Sequence, residues 1–84
     1  MEKKRVGVVF TYFSKVGVAG IKLEEELRVG DKISIEGHTT NIEQVVESMQ
    51  IERNPVQVAK AGQEIGVKVN ERVRPNDVVY KILE

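Results

Sequence analysis

Two corners constrain this chain more than anything else in it. One runs Leu27-Arg28-Val29-Gly30-Asp31-Lys32-Ile33-Ser34-Ile35, the other Ala59-Lys60-Ala61-Gly62-Gln63-Glu64-Ile65-Gly66-Val67. In each, a glycine followed by a polar residue sits just before an apolar run of period two. Glycine takes positive φ without a Cβ clash, so such a pair turns the chain sharply. The alternation Ile33/Ile35 and Ile65/Val67/Val69 is that of a strand with one face buried. We therefore expect Ile33, Ile35, Ile65, Val67 and Val69 to point into a core.

The same rhythm runs along the chain. Arg5 to Phe13 reads as a first strand and Ser14-Lys15-Val16-Gly17 as its turn. Val18 to Leu23 is a second strand, with Ala19, Ile21 and Leu23 on one face and Gly20 marking a close backbone approach or a barrel corner. Glu24 to Arg28 could form a helical turn, too short to stand alone. Asp31 to Gly37 is a third strand. Ile42 to Arg53 fits both a helix, through Ile42, Val45, Val46 and Met49, and a strand; the Val45-Val46 pair and the Met49/Ile51 alternation favour one long strand. Asn54-Pro55 breaks it, and Val56 to Lys60 is an irregular return. Glu64 to Asn70, a turn at Arg74-Pro75-Asn76-Asp77, and Val78 to Ile82 complete the chain. Six or seven short strands with frequent turns predict an all-β, closed antiparallel Greek-key barrel formed by residues 1–84 as a single domain.

Eighty-four residues support only a modest core. With no cysteine there is neither a disulfide nor a thiolate metal site, and a reducing compartment suits the composition. No signal-type segment and no apolar run of roughly 18 residues is present, so a cytoplasmic chain without a membrane partner is expected. Thirteen basic residues balance thirteen acidic ones, which argues against bulk electrostatic attraction to nucleic acid. Charged residues make up 31% of the chain, a profile compatible with a thermophile.

Catalytic constellations are missing. No glycine-rich frame precedes a Lys-Ser/Thr pair, so a phosphate cradle is not expected. His38 is the lone histidine, Ser14, Ser34 and Ser48 have no evident base, and Glu24-Glu25-Glu26 reads as a solvated turn. We expect no enzyme activity, no cofactor and no metal. Lys68, Arg72 and Arg74 fall at even spacing, and Lys3, Lys4 and Arg5 cluster near the start. Either set could meet RNA phosphates or be an ordinary solvated face.

From Val6 to Ile82 the chain resembles domain II of translational GTPases, the barrel of elongation factor Tu and its initiation-factor relatives. The residues that carry this are Val6-Gly7-Val8-Val9, the Leu27 to Ile33 corner, Val45-Val46-Glu47-Ser48-Met49-Gln50, the Ala59 to Val67 corner, and Arg74-Pro75-Asn76-Asp77-Val78-Val79. The chain also resembles small free-standing elongation-factor-like proteins of archaea and the accessory barrel of some collagenase-like peptidases. The first resemblance implies a pocket for an RNA end, with Tyr12 and Val18 as apolar walls, Gln50 and Arg53 as polar members and Glu64 at the rim. It implies tRNA, ribosomal RNA or a ribosome-associated partner, with the GTPase function lost or supplied elsewhere. Gly7-Val8 and Gln50 depart from the acidic residues of that family, which implies an altered ligand. The peptidase resemblance implies a protein-interaction subunit with a peptidase-like partner.

Overall fold

The computed structural model describes residues 2–83. It is all-β and antiparallel, with no helix among the described residues. Ten strands follow in order: β1 (Glu2–Phe13), β2 (Val18–Leu23), β3 (Leu27–Arg28), β4 (Lys32–Glu36), β5 (Asn41–Val45), β6 (Met49–Ile51), β7 (Asn54–Val56), β8 (Val58–Ala59), β9 (Glu64–Lys68) and β10 (Val78–Leu83). Eight form one sheet in the order β5-β4-β10-β1-β2-β9-β6-β7, while β3 and β8 pair separately.

The end strands β5 and β7 do not pair with each other, so the described ladders do not close the sheet. The sheet nonetheless curls. Gln44 of β5, separated from β9 by four intervening strands, donates its side-chain amide to the Lys68 carbonyl at 2.9 Å and accepts from the Asn70 N–H at 2.8 Å. Its amide thus stands in for a backbone partner at an edge the ladder leaves open. Inside the curl lies one hydrophobic cluster containing Ile21, Leu27, Ile33, Ile35, Ile65, Val67, Val69 and Val79. The five alternating residues of the two corners are all within it.

Three turns use one device. In Arg28-Val29-Gly30-Asp31, Lys60-Ala61-Gly62-Gln63 and Arg74-Pro75-Asn76-Asp77, the fourth N–H donates to the first carbonyl at 3.1, 3.2 and 3.1 Å. The fourth side chain accepts from the first N–H at 2.9, 2.7 and 2.8 Å. The third residue has φ of 99°, 89° and 77°, the geometry of a type II turn. Asp77 is buried for this purpose.

Several expected boundaries need correction. Glu24 to Arg28 forms no helical turn: the Glu24 and Glu25 N–H groups donate to the Val6 carbonyl, and Leu27-Arg28 pairs with Val58-Ala59. Ile42 to Arg53 is two strands rather than one. Val46 leaves the ladder because its N–H and C=O pair with Asp31 and Gly30. Pro55 lies within a strand, the edge strand β7, opposite Gln50. Val56 to Lys60 is not wholly irregular, since it supplies β8.

Candidate functional site

The outer face of β1, β2, β9 and β6 carries the candidate site. Its shape follows from a bulge in β1. Val9 pairs with Ile21, but the next pair is Thr11 with Gly20, so Phe10 is an extra residue. Extra residues of this kind reverse the facing of everything beyond them. Gly7, Val9 and Tyr12 therefore stand opposite the inward-facing Leu23, Ile21 and Ala19, while Phe13 stands opposite Val18 on the outside. The expectation that Tyr12 walls an outer pocket is corrected here: Tyr12 packs against the core. Phe10 and Phe13, 47% and 52% exposed, take the outer position instead.

Gly20 and Gly66 face each other across β2 and β9, and Gly66 also faces Gln50 of β6. Two adjacent residues without side chains leave a depression. A Cβ on Gly20 would lie 2.9 Å from Phe10 Cζ, so the Phe10 ring lies against this floor. The result is an open trough of about 790 Å³ lined by Phe10, Phe13, Val16, Val18, Gln50, Arg53 and Glu64, among others. A second hollow of about 400 Å³ abuts it, sharing Val16, Val18, Gln50, Arg53 and Gly66 and adding Ser48, Pro55 and Lys68. Val18, Gln50, Arg53 and Glu64 are thus brought together, with Lys68 at the far end.

Arg53 reaches the trough from a strained position. Ile51 pairs with Asn54, leaving Glu52 and Arg53 as a two-residue hairpin loop. Both have positive φ, 50° and 69°. Such turns ordinarily carry Asn-Gly, because a side chain in this region costs on the order of 1 kcal/mol or more.

The basic residues divide sharply. Lys3, Lys4 and Arg5 are paired with Glu36, Glu25 and Glu24, Arg5 through two hydrogen bonds of 3.0 and 3.1 Å. Lys3 also sits 5.4 Å from the Tyr80 ring centre. The Glu24-Glu25-Glu26 run is a set of ion-pair partners, Glu26 taking Arg28 at 2.8 Å. Arg72 and Arg74 lie beyond the end of β9, between and after buried Val69 and Val73, where strand parity no longer assigns a shared face. The expected strand Glu64 to Asn70 ends at Lys68, so even spacing does not place Arg72 and Arg74 on its face. Lys68 instead donates to the Val16 carbonyl at 2.8 Å, beside the trough.

The Lys3 ammonium and Ser34 hydroxyl, both hydrogen-bonded to Glu36, hold its carboxyl below the ordinary value near 4.5. A depressed folded-state pKa contributes stability above the unfolded value and loses it as pH falls through the folded one. Glu36→Gln is therefore expected to destabilise at pH 7, with the difference from the parent shrinking toward zero below pH 4. Denaturant midpoints at the two pH values check this.

Among the described residues no group of three or more His, Cys, Asp or Glu could hold a metal, and His38 lies exposed in the 37–40 loop. What the trough offers is binding: apolar rings, a glycine floor, an amide and cations.

The fold is that of a small all-β, antiparallel domain with an outer trough, and its likeness lies with peptidases. It superposes with a TM-score of 0.89 on the solved C-terminal domain of a Geobacillus thermoleovorans protein described as a U32 peptidase, at 25% identity, covering 95% of this chain and 93% of that one. A selenomethionine variant of that domain gives 0.85. The chain is similar to an uncharacterized protease of Methanocaldococcus jannaschii, 46% identical over 83 residues, and to a collagenase of Porphyromonas gingivalis, 44% over 82 residues. These alignments take in 98% and 95% of the chain but only 20% and 23% of the relatives. The chain thus spans about a fifth of the length of the curated relatives it matches. No family model matches it.

These findings overturn the translation-factor resemblance. The relatives and structural neighbours are peptidase proteins, not elongation factors, and the RNA and ribosomal partners implied by that resemblance lose their support. The likeness to the accessory domain of collagenase-like peptidases is the one that fits.

Proposed function

We propose that this chain is a non-catalytic accessory domain of a collagenase-like peptidase and that it presents polypeptide to the catalytic body. The observation that carries this is the alignment itself: nearly all of the chain matches a fifth of each relative, and a domain of the same fold ends a U32 peptidase. The outer trough, apolar and open, supplies a surface suited to an extended polypeptide. In this reading residues 1–84, of which 2–83 are described, act as one unit, and the curled sheet is a barrel-type wrap fastened by Gln44. The partner is the peptidase body, joined covalently or encoded apart.

A swap tests this. The matching fifth of the Porphyromonas gingivalis collagenase is deleted or replaced by this chain, and hydrolysis of fluorescent gelatin is followed. Deletion is expected to raise KM, replacement to restore it, and the isolated chain to show no hydrolysis. Hydrolysis by the isolated chain, or a replacement as defective as the deletion, would overturn the proposal.

A further inference from the structure

The trough and its adjoining hollow differ in character, and the difference indicates an occupant. The hollow's charged lining is Arg53 and Lys68, with no carboxylate. The larger trough is mixed in charge, with Glu52 and Glu64 beside Lys15 and Arg53, and carries Phe10, Phe13 and Val16, three side chains that are 47%, 52% and 56% exposed. Lys68 spends one N–H on the Val16 carbonyl and keeps two more to donate. Arg53 takes part in no ion pair among the described residues and is held at a φ of 69° that an arginine does not favour. Backbone strain at a position facing a cavity points from the observed outlier to a ligand contact.

We propose that the site captures the C-terminal end of a peptide. The terminal carboxylate sits in the Arg53–Lys68 hollow, and the last residue's apolar side chain lies over the Gly20–Gly66 floor beside Phe10. A terminal residue carries both groups on one Cα, and the two cavities share Val16, Val18, Gln50, Arg53 and Gly66, so they adjoin as such a residue requires. The hollow holds cations and no carboxylate whereas the trough holds both signs, which favours the carboxylate in the hollow and sets the direction. Gln50, on the boundary, is placed to bond the last peptide group. A polyphosphate chain fits less well, because beyond the hollow it would run past Glu52 and Glu64. Peptide hydrolysis leaves a free carboxylate on the N-terminal fragment, so this ligand is a cleavage product or a trimmed substrate. The assignment rests on the reading of the chain as a polypeptide-binding accessory domain.

The test is an NMR titration of the labelled chain with three probes: a blocked tetrapeptide ending in leucine with a free carboxylate, its C-terminal amide, and a short oligouridine. The free acid is expected to shift the amides of Gly20, Gln50, Arg53 and Gly66, and the amide to bind about ten-fold more weakly or worse, the usual worth of a charge-assisted hydrogen bond. Arg53→Gly is expected to weaken acid binding by about the same factor while its thermal midpoint stays level or rises, since glycine relieves the positive φ. Arg53→Asn, which tolerates the same φ, serves as the second variant. Equal affinity for acid and amide, shifts confined to the other face, no binding at millimolar peptide, or oligouridine preferred in the trough would each overturn the assignment. Such a result beside a working collagenase swap removes the peptide-end site alone and leaves the accessory role standing.

Discussion

Ile35→Ala is expected to lower stability by about 2–5 kcal/mol, a large share of what a domain of this size possesses. Ile35 is fully buried on β4, opposite Val79 of β10 on one side and Ile42 of β5 on the other. Those three residues form an apolar row across three paired strands. The ladder bonds on both sides hold the backbones in place, so the space left by the lost carbons cannot close by a strand moving inward. Urea unfolding at constant m-value measures the loss. A cost under about 1 kcal/mol would show that the row is not the packed centre described.

Gly7→Ala is expected to cost about 1–3 kcal/mol or more, against the modest gain alanine usually brings to a strand. A Cβ at Gly7 would lie 2.7 Å from the Lys22 carbonyl oxygen and 2.9 Å from Ile21 Cγ2. The first of these is backbone, bonded into the β1–β2 ladder beside the irregularity between Arg5 and Gly7, and it cannot swing away. Gly66→Ala is the control. Its Cβ would meet only side-chain atoms of Val18 and Gln50 at 3.1–3.3 Å, which can give way, so a small change is expected. Thermal midpoints of the two variants compare them directly; equal midpoints would mean that the β1 irregularity relaxes freely.

Much of the architecture was legible from alternation. Ile33, Ile35, Ile65, Val67 and Val69 all lie in the core, and Ala19, Ile21 and Leu23 share the inner face of β2. What misled was any place where the period of two breaks. The extra residue at Phe10 moved Tyr12 inward and Phe10 outward, and nothing in Val9-Phe10-Thr11 announces a bulge. Strands of two or three residues, β3, β6, β7 and β8, are too short to establish an alternation. The interruption at Val46 depends on backbone bonds to Gly30 and Asp31, remote in sequence. Val18, Gln50, Arg53 and Glu64 were named only through the pocket that the translation-factor resemblance implied, and nothing in their own spacing marks them; the strain at Glu52 and Arg53 was not legible either, since neither residue type advertises positive φ.

The translation-factor resemblance failed for an instructive reason. Three of the blocks that carried it contain Arg28-Val29-Gly30-Asp31, Lys60-Ala61-Gly62-Gln63 and Arg74-Pro75-Asn76-Asp77. All three are the same turn, clasped by the side chain of its fourth residue. Turn chemistry dictates those residues wherever a β domain needs that corner. A shared corner is evidence of shared folding, and the residues of the outer trough lie elsewhere.

Pro55 has a consequence for how copies of this chain can meet. In the two-residue hairpin of β6 and β7, Asn54 and Ile51 form the hydrogen-bonded pair, which leaves the next pair, Pro55 and Gln50, non-bonded. The ring nitrogen of Pro55 therefore faces the free margin of the sheet, while Asn54 and Val56 direct their N–H groups back to β6. An arriving strand finds no donor along that margin, and fibril-like stacking has no starting point there. Growth of the large sheet by strand addition is left to the opposite margin at β5.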